Sequence, residues 1–290
     1  MQFKGTGVAL VTPFKTDGSV DEIALRKLVS FQIENGTDFL VVQGTTGETA
    51  TLTADEKNFV LATVIDENNG KLPILLGMAD NNTAALVEEI KNFDHEGVDG
   101  FLSASPHYNK PSQRGIIAHF KAIAEVSKKP IILYNVPGRT ASNMTAETTL
   151  ELSKVETIVG IKEASGNLEQ VMQILKNAPE DFAVLSGEDA LTMPLVAMGG
   201  HGVISVVANA LPKQFSTMIN AGFTGDLVTA RKHHFDVLDI TDSFFAEGNP
   251  SGIKFCLELI GIGTETVRLP LTTISEELKS KMKSQLDLIK

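Results

Sequence analysis

The sequence predicts an α/β fold, a (β/α)8 TIM barrel with a C-terminal helical extension. Short β-rich runs alternate with longer segments of helical periodicity, and the alternation continues through eight units. Such alternation is typical of parallel strands joined by crossover helices, and eight units suit a closed barrel. A doubly wound sheet is the alternative, but no glycine-rich dinucleotide turn follows the first apolar run.

The eight strand candidates are short runs rich in apolar and β-branched residues. In chain order they are residues 7–13, 39–43, 73–78, 100–103, 131–135, 158–163, 183–187 and 202–206. Segments with helical spacing separate them, the first with Leu25, Leu28 and Val29 on one apolar face. Thr53-Ala-Asp-Glu56 is a capping box that begins the next helix.

The pattern changes after about Ala221, where helical segments follow one another with no obvious strand between them. Leu278, Met282, Leu286 and Ile289 outline the last of these helices. We therefore expect a catalytic barrel over residues 1–222 and a helical domain over residues 223–290.

Composition argues against several classes of function. The 290 residues include 25 Lys and Arg against 36 Asp and Glu, and the net charge of −11 disfavours a nucleic-acid-binding surface. No run is long and apolar enough to span a bilayer, and residues 1–7 do not begin a signal peptide. The single cysteine, Cys256, fits a reducing cytosol, so we expect a cytoplasmic location. The histidines are scattered, and we predict no metal site.

In a barrel of this type the active site lies at the carboxyl ends of the strands. Residues that could bind a substrate or react with it cluster at those ends. They are Gly44-Thr-Thr-Gly-Glu48 after the second strand, Tyr108 after the fourth, Tyr134 in the fifth, Lys162 in the sixth, Gly187 at the end of the seventh and Ile204 in the eighth.

Lys162 is the most informative of these residues. Strand alternation puts Gly160 and Lys162 on one face and Val159 and Ile161 on the other. The apolar face packs against helices, so Lys162 is expected to point into the barrel, with space left by Gly160. Burial of a lysine disfavours its ammonium form and frees the amine to attack a carbonyl. The alternative is a structural lysine paired with Glu163 at the strand end.

The loop from Gly44 to Glu48 can present successive backbone N–H groups to an anion. A carboxylate is the expected guest, because the loop lacks the Gly-Lys-Ser/Thr ending of a nucleotide phosphate loop. An ordinary glycine turn capped by threonine is the alternative, and it is favoured when the loop is considered alone.

Two further side chains suit chemistry on a carbonyl substrate. Tyr134 has the same strand parity as Ile132 and so points inward, where its hydroxyl can transfer protons. Arg139, shortly after that strand, can hold a second carboxylate with two parallel hydrogen bonds. The alternatives are a core tyrosine bound to a backbone carbonyl and a solvated loop arginine.

Seven segments over nearly the whole chain resemble the dihydrodipicolinate synthase family, within the superfamily of pyruvate-dependent class I lyases and aldolases. They are Gly7-Val-Ala-Leu-Val-Thr-Pro-Phe14, Gly44-Thr-Thr-Gly-Glu48, Pro106-His-Tyr-Asn109, Tyr134-Asn-Val-Pro-Gly-Arg-Thr140, Gly160-Ile-Lys-Glu-Ala-Ser-Gly166, Ser186-Gly-Glu-Asp189 and Gly199-Gly-His-Gly-Val-Ile-Ser205. The double threonine and Arg139 separate this family from sialate lyases, which have a Ser-Thr pair in the loop.

The resemblance implies four catalytic residues. Lys162 forms an imine with pyruvate. Thr45, Tyr108 and Tyr134 form a proton relay, in which Tyr134 is the general acid and base. Tyr108 reaches the relay from a neighbouring subunit.

The resemblance also implies four substrate-binding residues. Thr46 and the neighbouring backbone bind the pyruvate carboxylate, while Ile204 and Gly187 line the pocket. Arg139 holds the carboxylate of the second substrate, aspartate semialdehyde.

The implied reaction forms 4-hydroxy-tetrahydrodipicolinate on the route to diaminopimelate and lysine. It uses no cofactor, and the implied assembly is a homotetramer built from two tight dimers. A sister aldolase, which would share Lys162 and Tyr134 but not need Arg139, is the nearest alternative. A non-catalytic small-molecule sensor on the same barrel is the second.

The resemblance is incomplete where lysine-inhibited members bind the end product. Those members offer two histidines, an asparagine, a glutamate and a tyrosine, and the aligned positions here are Ala54, Lys57, Asn81, Ala85 and His107. Only Asn81 is kept. The lost glutamate and the like charge of Lys57 disfavour a cationic ligand, so we predict weak inhibition by lysine or none.

Overall fold

A computed structural model, which describes residues 1–93 and 96–289, contains a closed barrel of eight parallel strands. The strands are β1 (Gly5–Ala9), β2 (Phe39–Val42), β3 (Ile74–Gly77), β4 (Gly100–Ala104), β5 (Ile131–Asn135), β6 (Ile158–Glu163), β7 (Ala183–Ser186) and β8 (Gly202–Ser205). Each strand pairs with the next one along the chain, and β8 pairs with β1 to close the ring. The predicted barrel is confirmed, and the doubly wound alternative is wrong.

Helices connect the strands and continue beyond the last one. They are α1 (Glu22–Glu34), α2 (Ala54–Asn68), α3 (Thr83–Lys91), α4 (Gln113–Val126), α5 (Pro137–Thr140), α6 (Ala146–Leu152), α7 (Leu168–Asn177), α8 (Thr192–Ala197), α9 (Pro212–Phe223), α10 (Leu227–Phe245), α11 (Ser251–Leu259) and α12 (Glu276–Leu286). The predicted capping box is present, since Thr53 and Glu56 accept hydrogen bonds from each other's backbone N–H at the start of α2. Among the described residues, no helix has both the length and the apolar character needed to cross a bilayer.

Alternate residues of the strands face two separate cores, as the period of two requires. The larger core lies between the strands and the helices and includes the predicted face of α1, with Leu25, Leu28 and Val29 fully buried. The smaller core fills the inside of the barrel and includes Phe39 and Leu185. The inner core forms the floor beneath the carboxyl ends of the strands.

The first strand is shorter than the predicted run of residues 7–13. β1 ends at Ala9, and the Leu10 N–H still donates to the Val41 carbonyl at 3.0 Å. The Val11 N–H donates instead to Asn209 Oδ1 at 3.1 Å, so the backbone leaves the sheet there. The apolar run continues as a buried loop, which hydrophobicity alone does not distinguish from a buried strand.

Buried charges join the C-terminal helices to the barrel. Lys254 Nζ of α11 lies 2.5 Å from Glu48 Oε1, and both side chains are 1% exposed. Lys254 and Arg268 lie on the ring of Phe14, at 4.0 and 4.3 Å from its centroid. Burial lowers the pKa of Lys254 to about 8, although Glu48 favours its charged form. Removal of one partner from such a buried pair costs about 3–5 kcal/mol, so this contact holds the helices against the loop after β2.

Candidate active site

A cavity of about 790 Å³ opens at the carboxyl ends of the strands, where barrel enzymes carry their active sites. Its volume lies within the range of small-molecule sites. Six of the eight predicted site residues line it: Thr45, Thr46, Tyr134, Arg139, Lys162 and Gly187.

Lys162 lies at the floor of this cavity and is 5% exposed. Its Cα pairs in register with that of Tyr134 on the neighbouring strand, so both side chains leave the barrel wall at the same level. The Lys162 Nζ atom lies 4.4 Å from the centroid of the Tyr134 ring. An amine and a phenol are thus held side by side, an arrangement that suits attack on a carbonyl with proton transfer.

Lys162 does not form an ion pair with Glu163. Glu163 points to the opposite face of β6, where its carboxylate accepts hydrogen bonds from Gln170 Nε2 at 2.8 Å and from Asn135 Nδ2 at 3.0 Å. The Ser165 N–H donates to the same carboxylate at 2.7 Å. These donors satisfy the carboxylate on the outer side of the barrel, away from the lysine.

The glycine that makes room for Lys162 is Gly187 rather than Gly160. A Cβ on Gly187 would lie 2.6 Å from Ala164 Cβ and 3.1 Å from both Cγ and Cε of Lys162, so any larger residue would press on both side chains. A Cβ on Gly160 would lie 2.6 Å from the Ala183 carbonyl oxygen and 2.9 Å from Ile132 Cδ1. The expected space at Gly160 is therefore already filled by the barrel core.

The Gly44–Glu48 loop forms a single 3-10 turn over Thr45–Gly47. The N–H groups of Thr45 and Thr46 are the first two of this turn, so no carbonyl within the turn can accept from them. Thr46 is buried, and its Oγ1 accepts a hydrogen bond from Asn249 Nδ2 at 3.0 Å. Thr45 and Thr46 line the cavity, so this turn is suited to bind an anion.

Among the residues that the structure describes, three cations and three carboxylates line the cavity: Lys57, Arg139, Lys162, Asp80, Glu89 and Glu188. Arg139 lies in the short helix α5 on the cavity wall, and Glu188 lies on the wall near Lys162. Burial raises the pKa of Glu188, and the neighbouring Asp189 raises it further, whereas Lys162 and Arg139 lower it. Burial also raises the pKa of Asp189, whose carboxylate accepts hydrogen bonds from Ser205 Oγ and the Val206 N–H.

The two remaining predicted residues lie elsewhere in the single chain. Tyr108 is 86% exposed, with a left-handed backbone φ of 66°. Ile204 is buried in the inner core of the barrel with Tyr134, and Val206, two residues later, lines the cavity.

Glu188, Val206 and Asn249 are polar or strand-end residues of the cavity to which no role was assigned from the sequence. Glu188 directly follows Gly187 in a segment already matched to the family, so its position at a strand end could have identified it. Val206 follows β8 and could have been found in the same way. Asn249 lies in the C-terminal segment, 203 residues from its partner Thr46, and no local pattern indicates it. Among residues 1–93 and 96–289, no group of three or more His, Cys, Asp and Glu side chains is arranged to hold a metal ion.

Comparison with known proteins extends the similarity over the whole chain. A protein from Flavobacterium psychrophilum named 4-hydroxy-tetrahydrodipicolinate synthase is 49% identical over 281 residues, which are 97% of this chain and 96% of that protein. The structure of a chloride-inhibited dihydrodipicolinate synthase from Acinetobacter baumannii, complexed with pyruvate, superposes with a TM-score of 0.95 at 36% identity, over 99% of this chain and 98% of that one. A monomeric dihydrodipicolinate synthase variant gives a TM-score of 0.96 at 36% identity, over 99% and 97% of the two chains.

A sequence model of a known protein family matches almost every residue of the chain. This is the dihydrodipicolinate synthetase family, matched over residues 2–289. With this match, the 49% identity to a named synthase and the common barrel, the predicted resemblance is confirmed. The chain belongs to the dihydrodipicolinate synthetase family.

Proposed function

We propose that this chain condenses pyruvate, held as an imine on Lys162, with aspartate semialdehyde to form 4-hydroxy-tetrahydrodipicolinate. The observation that carries the proposal is the buried lysine at the floor of the cavity, beside Tyr134. The name of the Flavobacterium relative and the pyruvate in the Acinetobacter structure support the same reaction. The product belongs to the route to diaminopimelate and lysine.

The first step is attack of the Lys162 amine on the keto carbon of pyruvate. The carbonyl oxygen leaves as water, and loss of a methyl proton converts the imine to an enamine. The pyruvate carboxylate binds the loop, where Thr46 Oγ and the N–H groups of Thr45 and Thr46 are the donors. Gly187 leaves the space that the lysine side chain needs to reach this position.

The second step joins the enamine carbon to the aldehyde carbon of aspartate semialdehyde. Tyr134, in register with Lys162, exchanges the protons, and Thr45 and Tyr108 complete the relay. Arg139 on the cavity wall binds the carboxylate of the aldehyde. The amine of the condensed product then attacks the imine carbon, which closes the ring and releases Lys162. Ile204 supports the pocket from the barrel interior.

A coupled assay tests the reaction. Pyruvate and aspartate semialdehyde are supplied together, and a reductase that consumes the product reports turnover. Turnover with aspartate semialdehyde and little turnover with sugar aldehydes is the expected result. A preference for sugar aldehydes would favour the sister-aldolase alternative, and binding of pyruvate without turnover would favour the sensor.

We propose a homotetramer made of two tight dimers. The supporting observation is Tyr108, which is 86% exposed in the single chain and lies on the loop after β4. In the assembly its hydroxyl would reach the relay of a neighbouring chain. We also propose a cytoplasmic location and a boundary between the barrel and the helical domain at residues 222 and 223, next to the end of α9.

Subunit mixing is expected to restore activity if Tyr108 acts on a neighbouring chain. Hybrids of Tyr108→Phe and Lys162→Ala chains contain one site with an intact lysine and an intact tyrosine from the partner. Some activity should therefore return when the two inactive proteins are mixed and the hybrids are verified by mass. A mixture of Tyr134→Phe and Lys162→Ala is the matched control and should stay inactive, because both residues act within one barrel. Verified hybrids without recovery would show that each barrel works alone.

Lysine is expected to inhibit this enzyme weakly or not at all. The one kept residue of the family's lysine site, Asn81, donates from Nδ2 to the His107 carbonyl at 2.8 Å and accepts from the His107 N–H at 2.8 Å. Its side chain is thus already committed to the loop that carries Tyr108. Calorimetric titration and initial rates with added lysine measure the effect, and saturable inhibition at sub-millimolar lysine would contradict the prediction. Restoring the acceptor with Ala85→Glu and removing the cation with Lys57→His should increase sensitivity.

A further inference from the structure

Asn249 lies on the wall of the cavity, in the turn between α10 and α11. Its Nδ2 atom donates a hydrogen bond to Thr46 Oγ1 at 3.0 Å. An amide from the helical C-terminal segment therefore touches the one hydroxyl that, in the function proposed above, binds the pyruvate carboxylate.

We propose that Asn249 is a positioning residue that sets the direction of the Thr46 hydroxyl proton. A hydroxyl has one proton and two lone pairs. Because one lone pair accepts from Asn249, the proton points away from that amide and can be donated toward the cavity. An ionised carboxylate can only accept hydrogen bonds, so a hydroxyl held in this way is prepared to bind it. The inference rests on the proposed role of Thr46 in carboxylate binding.

The same loop is fixed to the helical segment at a second point. Glu48, at the other end of the loop, forms the buried ion pair with Lys254 and accepts a hydrogen bond from the Arg268 N–H at 3.0 Å. The loop and Asn249 are thus parts of one frame, which holds the donor in place before the substrate arrives. Such preorganisation lowers the cost of binding.

Within residues 1–93 and 96–289, the side chain of Asn249 makes one hydrogen bond, to Thr46. Its Oδ1 atom is buried and accepts no hydrogen bond from residues 1–93 or 96–289. The amide oxygen of Asn249 therefore forms no hydrogen bond that stabilises its own turn. The contact of Asn249 with Thr46 is directed at the cavity loop, as a positioning role requires.

The test measures the pyruvate concentration that half-saturates borohydride capture, so that the second substrate plays no part. Asn249→Ala is expected to raise this concentration about tenfold, which corresponds to the loss of one net hydrogen bond. Asn249→Asp should raise it further, because a carboxylate draws the Thr46 proton toward itself and repels the substrate anion. Asn177→Ala, on the exposed surface of α7, is the control and should leave it unchanged.

A double-mutant cycle shows whether Asn249 acts through Thr46. In the Thr46→Val background, Asn249→Ala should have no further effect, whereas Thr46→Ser keeps the hydroxyl and should keep the dependence on Asn249. Additive effects, wild-type pyruvate dependence in Asn249→Ala, or normal behaviour of Asn249→Asp would each overturn the inference. If the wild-type protein captures no pyruvate, the proposed function fails with it. If the wild type captures pyruvate normally and Asn249→Ala does too, only the inference fails.

Discussion

Pyruvate followed by borohydride is expected to add the mass of one reduced pyruvate imine to each chain, at Lys162. Reduction turns the imine into a secondary amine that cannot hydrolyse, so the modification is permanent and stops turnover. Lys162 should react because its side chain lines the cavity beside Tyr134. Peptide mapping by mass spectrometry identifies the modified residue.

Lys254 is a built-in control for this experiment. It is the more strongly buried of the two lysines, and burial lowers the pKa of Lys254 to about 8, so a low pKa alone would favour its reaction. Its Nζ, however, is paired with Glu48 and donates to the Thr266 carbonyl at 2.9 Å, and it does not line the cavity. Labelling at Lys254, or no labelling of active protein, would contradict the mechanism.

If Lys162 is the nucleophile, as proposed, its substitution should abolish nearly all turnover. Lys162→Ala removes the nucleophile, and Lys162→Arg keeps a charge that cannot be lost near neutral pH. Both variants should lose turnover by at least about a thousandfold, because residues that form a covalent intermediate have effects of this order. The melting temperatures of both variants should stay close to that of the wild type, which would show that the loss of turnover is not caused by unfolding.

Arg139→Ala is expected to lower kcat/KM for aspartate semialdehyde by roughly a hundredfold or more. Two charge-assisted hydrogen bonds would contribute about 1.5–3 kcal/mol each, and the exposure of Arg139 to water reduces that contribution. Pyruvate capture on Lys162 should survive, since the role proposed for Arg139 concerns only the second substrate. The loss should therefore appear in the coupled assay and not in the borohydride experiment.

Two variants sharpen the interpretation of that result. Arg139→Lys keeps the charge but loses the planar pair of donors, so it should recover only part of the activity. Arg114→Ala, an exposed arginine of α4 that does not line the cavity, should behave as wild type. Near-normal turnover of aspartate semialdehyde by Arg139→Ala would instead support the sister-aldolase alternative.

Periodicity in the sequence determined the barrel and the direction of its key side chains. The eight βα units imposed parallel strands, and the period of two along β5 and β6 placed Tyr134 and Lys162 on the inner face. The direction of a side chain depends only on its neighbours within one strand, and the parallel arrangement depends on the order of strands and helices along the chain. Both can therefore be obtained from the sequence. The predicted end of β1 was wrong, because an apolar run continues into a buried loop with the same composition.

Only the tertiary structure decided what surrounds these side chains. That Gly187 rather than Gly160 clears the path of Lys162 depends on which atoms fill the barrel interior. The contact of Asn249 with Thr46 joins positions 203 residues apart. Barrel closure and the docking of the C-terminal helices bring such residues together, and each depends on the simultaneous packing of many segments. Hydrophobic periodicity describes one segment at a time, so it predicts that Lys162 points inward but not which residues surround it.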